Sequence, residues 1–207
     1  MKDVKFYKLL LFVNALVPVA LVGWDWRGGR LGANPLDFVT RATGTLTLVF
    51  LVLTLAVTPL RKLTGAQWLV RLRRMLGLYA FFYGALHLAA YVWFDKAFDV
   101  AAVAQDVARR RFILVGFLAF ASMVPLAVTS TDRMIKRLGG KRWQKLHRLT
   151  YVSAAAGVFH YYLLVKSDVR KPLIFGAVVA ALLLYRAYVS YTKGATPLSL
   201  RPQPPAR

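Results

Sequence analysis

The sequence predicts an all-α integral membrane protein, a six-helix bundle with both termini in the cytoplasm. Hydrophobic residues make up 58% of its 207 residues, more than the roughly half that is usual in a soluble domain. They are gathered in blocks of about twenty residues, the length at which a helix crosses a hydrocarbon core about 30 Å thick. Six such blocks occur, each without an acidic residue: 6–24, 43–60, 75–94, 112–130, 149–165 and 172–191.

The first block could be mistaken for a signal peptide, because it follows a short basic N-terminus. Its apolar run is longer than a typical signal core, and it ends in Gly-Trp-Asp-Trp at 23–26 rather than in a small-x-small cleavage pattern. We therefore interpret it as a retained first helix. Pro18 in this block and Pro125 in the fourth are compatible with membrane helices, in which prolines are tolerated. Arg186 in the sixth block is close enough to the end for its side chain to reach the interface.

The distribution of lysine and arginine predicts the orientation of the helices. If the N-terminus is cytoplasmic, that side of the membrane carries roughly two thirds of the 29 basic residues, and the positive-inside rule then places both termini in the cytoplasm. The net charge of +21 lies mostly in short connections between apolar blocks. In that setting it indicates contact with anionic lipid headgroups rather than with nucleic acid.

Short connections leave no room for a soluble domain, so residues 1–193 are predicted to form one six-helix transmembrane domain. Residues 194–207 are rich in proline and are predicted to be a disordered cytoplasmic tail. The sequence has no cysteine. This excludes disulfides, thiolate metal sites, iron–sulfur clusters and haem attached through a Cys-x-x-Cys-His motif.

Two of the three histidines are placed to share a ligand. His87 lies about two thirds of the way along the third block, and His160 lies at a comparable depth in the fifth. Both blocks run outward in the predicted topology, so the two side chains can face each other in the outer leaflet. Two neutral imidazoles fill both axial positions of a haem iron, which favours electron transfer over oxygen binding. Small residues nearby, Gly84 and 154–157, could open the gap that a porphyrin needs.

A second, inner site is also possible. His147 precedes His160 by 13 residues, and Arg73 and Arg74 precede His87 by 14 and 13. Such a step rises about 20 Å along a helix, enough for two stacked haems. Arginine stays protonated and is a poor iron ligand, so Arg73 or Arg74 would instead pair with a haem propionate. The sequence leaves open whether one haem is bound or two.

Other interpretations of these residues remain. A membrane histidine can simply form a hydrogen bond between helices, and His147, which has basic neighbours, could be an interfacial residue. A zinc site is disfavoured, because no carboxylate or thiol is near the histidines in sequence. The basic connections 61–74 and 133–148 could hold a flavin phosphate or dock an acidic reductase. They could equally be topology signals alone.

The motifs resemble a known family. The run 73–78, Arg-Arg-Met-Leu-Gly-Leu, and the run 83–87, Tyr-Gly-Ala-Leu-His, resemble the third helix of the MsrQ family (older name YedZ). Trp143, the run Leu-His-Arg-Leu-Thr-Tyr at 146–151 and His160 resemble its fourth connection and fifth helix. This family lies within the ferric-reductase-like transmembrane superfamily, which often has two histidines on each of the two helices. Here Arg73 or Arg74 stands where the superfamily has the second histidine of the third helix.

The resemblance implies a non-catalytic electron-transfer subunit in the bacterial inner membrane. It would bind b-type haem through His87, His147 and His160, and it would also bind flavin mononucleotide (FMN). Electrons would come from the quinone pool or a cytoplasmic flavin reductase. They would pass to a periplasmic, molybdopterin-containing methionine-sulfoxide reductase subunit that repairs oxidised proteins. The alternatives are a stand-alone transmembrane ferric or quinone reductase, and a haem-free helper or transporter.

Overall fold

The computed structural model describes residues 4–195. All the regular secondary structure in this part of the chain is helical. A 3₁₀ segment, Gln67–Leu72, leads into α3, and a π-helical turn, Tyr91–Asp95, extends it. The α-helices are α1 (Val4–Arg27), α2 (Pro35–Thr64), α3 (Arg73–Ala90), α4 (Val100–Arg109), α5 (Arg111–Val128), α6 (Asp132–Leu138), α7 (Gly140–Leu146), α8 (Leu149–Leu164) and α9 (Arg170–Ala195).

Five helical segments within residues 4–195 are long and apolar enough to cross a membrane. They are Val4–Arg27, Pro35–Thr64, Gln67–Asp95, Arg111–Val128 and Arg170–Thr192. Helix α8, the fifth predicted block, has only 16 residues, or about 24 Å of helix. The five longer segments confirm an all-helical, multi-pass architecture for the described residues. The count of six spans and the cytoplasmic location of the termini stay predictions.

Helix α2 begins well before the apolar block that predicted it. Asn34 caps its N-terminus by accepting a 3.1 Å hydrogen bond from the Asp37 amide, and Pro35 occupies the first turn. Proline is favoured there because the first amides of a helix have no intrahelical acceptor. Counting apolar residues missed this start because Asp37 and Arg41 precede the block. The added turns matter, since they bring Thr40 beside the third helix.

The bundle is built on two pairs of helices, α2 with α3 and α5 with α8. Tyr83, fully buried on α3, stacks on Phe50 of α2 with ring centroids 5.5 Å apart. Its hydroxyl donates a 2.5 Å hydrogen bond to the Ala15 carbonyl. This bond ties α1 to the core, as expected for a buried tyrosine whose hydroxyl needs a partner. The bundle surface is rich in large exposed apolar side chains, which suits contact with lipid.

An ion-pair network closes one end of the bundle, which we call the α4 end. The Asp106 carboxylate of α4 lies 2.7 Å from Lys96 Nζ and 3.3 Å from Arg110 Nε, and it accepts a 2.9 Å hydrogen bond from the Tyr91 hydroxyl. The hydrogen bond from Lys96 lowers the pKa of Asp106 and, reciprocally, raises that of Lys96. The apolar-block analysis did not predict α4, because this helix is short and carries charges.

The opposite end carries α6 and α7, and we call it the α6 end. In the predicted orientation the α4 end is periplasmic and the α6 end cytoplasmic. Helix α9 continues to Ala195, two residues into the predicted tail 194–207. Residues 196–207 lie outside the described part of the chain, so disorder of the tail stays a prediction.

Candidate functional site

The structure brings His87 of α3 and His160 of α8 together. Their ring centroids lie 6.1 Å apart, and the two ring planes are 80° apart. Two imidazoles bound to one metal ion by bonds of about 2 Å would have centroids roughly 6 Å apart. The spacing therefore suits two imidazoles that bind one metal ion, as the sequence predicted from the matched depths of the two residues.

Hydrogen bonds fix which nitrogen of each ring is available. His87 Nδ1 lies 2.9 Å from the Thr40 carbonyl oxygen, and His160 Nδ1 lies 2.6 Å from the Phe112 carbonyl oxygen. A carbonyl can only accept, so each Nδ1 carries the proton and donates it. The lone pair of each neutral ring is then on Nε2, the atom left to bind a metal. This is the usual arrangement of metal-binding histidines, whose second nitrogen donates to a carbonyl or carboxylate.

Two glycines make these hydrogen bonds possible. Gly44 and Gly116 each lie four residues after the carbonyl that accepts the bond, one turn further along the same helix. A Cβ at Gly44 would lie 3.1 Å from His87 Nδ1, and a Cβ at Gly116 only 2.6 Å from His160 Nδ1. Any side chain at position 116 would therefore displace the imidazole. Sequence analysis missed both glycines and both carbonyls; its one available signal was that glycine inside a helix costs about 1 kcal/mol relative to alanine.

A cavity of about 420 Å3 lies between α2, α3, α5 and α8, and both histidines line it. Its walls are mostly apolar, with Leu48, Phe120 and Met123 among them. Glycine also keeps the walls apart, since a Cβ at Gly84 would lie 3.3 Å from Phe120 and one at Gly157 3.0 Å from Leu48. The charged residues Asp37, Arg41, Asp95, Arg110 and Lys171 also line it.

These features fit a haem better than a bare metal ion. The cavity volume falls within the roughly 300–1,000 Å3 of cofactor pockets, its walls suit an apolar macrocycle, and its cations could pair with propionates. A bare zinc ion would need about four ligands. Within residues 4–195, however, no three histidine or acidic side chains come together.

His147 lies apart from this cavity. Thr129 Oγ1 donates to the Pro125 carbonyl and accepts a 3.1 Å hydrogen bond from His147 Nε2. Trp143 stacks on the imidazole with centroids 3.8 Å apart, and its Nε1 donates to the Thr129 carbonyl. Burial lowers the pKa of His147 and so favours the neutral ring. Its Nε2 is already used as a donor, unlike the Nε2 of the paired histidines.

The two arginines predicted for the inner site have other partners. Arg73 Nη2 donates a 2.8 Å hydrogen bond to Thr58 Oγ1, and Arg74 forms a salt bridge with Asp132. That salt bridge lowers the pKa of Asp132. The structure thus joins His87 to His160, whereas His147, Arg73 and Arg74 each contact different residues.

Fold and site together define a class of protein: a multi-pass helical membrane protein with two histidines placed to hold a metal cofactor between its helices. Residues 42–158 match the family described as ferric reductase like transmembrane component. The match includes His87 and His147 and ends two residues before His160.

Relatives that align along most of the chain narrow this class. Proteins named protein-methionine-sulfoxide reductase heme-binding subunit MsrQ are 53% identical in Herminiimonas arsenicoxydans, covering 90% of this chain and 86% of the relative. The identity is 50% in Ralstonia nicotianae, covering 90% and 87%, and 51% in Bordetella pertussis, covering 86% and 87%. The chain therefore belongs to the MsrQ family of ferric-reductase-like transmembrane proteins.

Proposed function

We propose that this protein is the transmembrane electron-transfer subunit of a methionine-sulfoxide reductase system. It would carry electrons through b-type haem, across the bacterial inner membrane, to a periplasmic catalytic subunit that repairs oxidised proteins. The observation that carries the proposal is the histidine pair, with centroids 6.1 Å apart and with both Nε2 atoms lacking a hydrogen-bond partner among residues 4–195. The names of the relatives support the reductase system and the cofactor.

His87 and His160 would hold the haem between them, and the haem would supply a one-electron carrier. Each imidazole is fixed in orientation by its hydrogen bond to a helix carbonyl. Such bonds also make the ligating nitrogen more basic. A haem held by two histidines would favour electron transfer over oxygen chemistry. Arg41, Arg110 and Lys171 would pair with the propionates.

The partners of the protein are proposed on the family resemblance. The electron donor would be quinol or a cytoplasmic flavin reductase, and FMN would be a second cofactor. The acceptor would be a molybdopterin-containing catalytic subunit, so this chain would itself be non-catalytic. His147 would mark a second haem only if it exchanged its bond to Thr129 for a bond to iron, with Arg73 or Arg74 near a propionate.

A second candidate function is a stand-alone transmembrane ferric or quinone reductase. The family match to ferric reductase like transmembrane components favours it. The two functions differ in what the reduced protein does. An electron-transfer subunit delivers electrons to its periplasmic partner, whereas a stand-alone reductase turns over ferric chelates or quinones by itself.

The test begins with the haem stoichiometry of the purified full chain, measured by absorbance and by the pyridine haemochromogen assay. We expect one b-type haem for each chain and no covalent attachment. The chemically reduced protein is then mixed separately with the periplasmic subunit, a ferric chelate and a quinone. If only the periplasmic subunit oxidises the protein, the result supports an electron-transfer subunit. If only the ferric chelate or the quinone does so, the result supports a stand-alone reductase. A protein that lacks a Soret band in all preparations would contradict both.

A further inference from the structure

Three arginines from different helices lie near the α6 end of the bundle. Arg61 is on α2, Arg73 on α3 and Arg186 on α9. The Nε atom of each is buried and has no hydrogen-bond partner within the described residues. None of the three forms a salt bridge with an acidic residue of the described chain. We call these residues the arginine cluster.

Helix α2 positions two of these guanidinium groups. Pro59 lacks an amide hydrogen, so the Leu55 carbonyl four residues earlier has no donor within the helix. Arg186 Nη2 donates a 2.8 Å hydrogen bond to that carbonyl. One turn further along α2, Thr58 Oγ1 accepts the 2.8 Å bond from Arg73. Leu55, Thr58 and Arg61 follow one another at three-residue steps, which places them along one face of the helix.

Tyr151 of α8 holds Arg186 from the other side. Its hydroxyl accepts a 3.1 Å hydrogen bond from Arg186 Nη1, and the guanidinium carbon lies 5.2 Å from the centre of its ring. Arg186 is therefore fixed by one backbone carbonyl and one tyrosine. Since both contacts use the terminal nitrogens, Nε keeps its hydrogen without an acceptor.

The cluster gathers positive charge without compensation. Arg61 and Arg186 are both close enough to Arg73 for their positive charges to repel it. The nearby acid, Asp132, pairs with Arg74 instead. Buried charges in proteins are ordinarily paired, because desolvation is expensive. Three cations with unused buried donors therefore indicate a missing anion.

We propose that the arginine cluster is a binding site for a phosphate group. The guanidinium fork matches phosphate oxygens in geometry, and three such forks suit a group with several oxygens and up to two negative charges. The phosphate belongs either to an anionic phospholipid headgroup, which is abundant on the cytoplasmic leaflet, or to a nucleotide such as FMN, in which case the inference rests on the proposed function. The site does not depend on the haem, since Arg73 is 14 residues from His87, about 21 Å along α3.

Arg61 gives the most informative variant. Its side chain forms no hydrogen bond within the described residues, so replacing it removes no hydrogen bond that holds the fold together. In Arg61→Gln the repulsion within the cluster falls, so the ligand-free protein should melt at a higher temperature than the wild type. Phosphate binding should weaken at least tenfold, which is about 1.4 kcal/mol. A purely structural arginine would give a lower melting temperature. Arg137→Gln, at an exposed arginine of α6 and with the same change in charge, is the matched control.

Binding is measured on the purified full chain in a neutral detergent with three probes. Inorganic phosphate is compared with chloride at equal ionic strength, by melting temperature. Phosphatidylglycerol is compared with phosphatidylcholine by native mass spectrometry, and FMN with riboflavin by fluorescence quenching. Selective binding of the lipid identifies the headgroup as the source, and selective binding of FMN identifies a nucleotide. Selective binding of inorganic phosphate supports the site itself.

The proposal is wrong if no phosphate-bearing probe binds selectively, or if Arg61→Gln and Arg137→Gln weaken binding equally. It is also wrong if Arg61→Gln loses haem, since the cluster would then serve the haem carboxylates. Haem content is therefore measured in every preparation. Because the histidine pair is intact in both variants, failure of the phosphate site leaves the proposed electron transfer through haem unaffected.

Discussion

His87 and His160 face each other across the cavity with their Nδ1 atoms both bonded to helix carbonyls. We expect His87→Ala and His160→Ala each to abolish the Soret absorbance of the purified protein, because one remaining imidazole binds haem iron far more weakly than two. His147→Ala should keep the absorbance of the haem held by the pair. Equal loss of haem in all three variants would contradict the separation of His147 from the pair, and unchanged haem in His87→Ala would contradict the pair itself.

Gly116 offers a test that leaves both histidines in place. An alanine Cβ would lie 2.6 Å from His160 Nδ1, so Gly116→Ala should push the ring off its carbonyl. Overpacking of this kind costs roughly 1–3 kcal/mol, and we expect haem affinity to fall by about tenfold or more. Gly44→Ala, with a contact of 3.1 Å, should have a smaller effect.

The matched control for Gly116→Ala is Gly23→Ala in α1, where an added Cβ meets nothing within 4 Å. Haem titration of the three apoproteins gives the affinities. If Gly116→Ala bound haem as tightly as Gly23→Ala, the imidazole of His160 would not need the hydrogen bond to Phe112.

The Asp106 network predicts a pH-dependent stability. Lys96 lowers the pKa of the Asp106 carboxyl below its ordinary value of 3.8, so the native protein favours the ionised form. The resulting stabilisation is fully present above that ordinary value and is lost as the pH falls through the lowered pKa. Asp106→Asn should therefore melt at a lower temperature than the wild type at pH 7, and the difference should shrink below pH 3.8.

Asp25→Asn serves as the control for this experiment, because its ion pair with Arg30 is exposed and such pairs contribute little. Melting temperatures of both variants and the wild type would be compared from about pH 3 to pH 7, a range that spans the ordinary carboxyl pKa. A difference between Asp106→Asn and the wild type that stays constant over this range would show that the carboxylate charge is not what stabilises the α4 end.

The absence of native cysteine allows a direct test of orientation. In Gln105→Cys the thiol would lie on the exposed surface of α4, and in the matched variant Gln144→Cys on the exposed surface of α7. With both termini in the cytoplasm, a membrane-impermeant maleimide should label the first variant in intact spheroplasts. It should label the second only after lysis. The reverse labelling pattern would show that both termini lie in the periplasm.

Local features of the sequence predicted the six apolar helices and that His87 and His160 could face each other. Apolar length fixes where a helix can cross a membrane, and a residue's position along it fixes depth. The carbonyls of Thr40 and Phe112 were unpredictable, because they depend on how α2 and α5 rotate against their partners. The hydroxyl that engages His147 belongs to Thr129, a contact that exists only once α7 has folded back on α5. Helix α4 was missed because it is short and carries charged residues, so it does not form an apolar block.

The depth of His87 has an electrical consequence. It lies about 21 Å along α3 from Arg73, roughly two thirds of the way across a 30 Å hydrocarbon core. In the proposed orientation, an electron that travels from the inner face to this level crosses most of the membrane's electric field. A potential of about 100 mV, negative inside, would contribute about 1.5 kcal/mol to that outward movement. The energised membrane would itself help to draw reducing equivalents toward the periplasm.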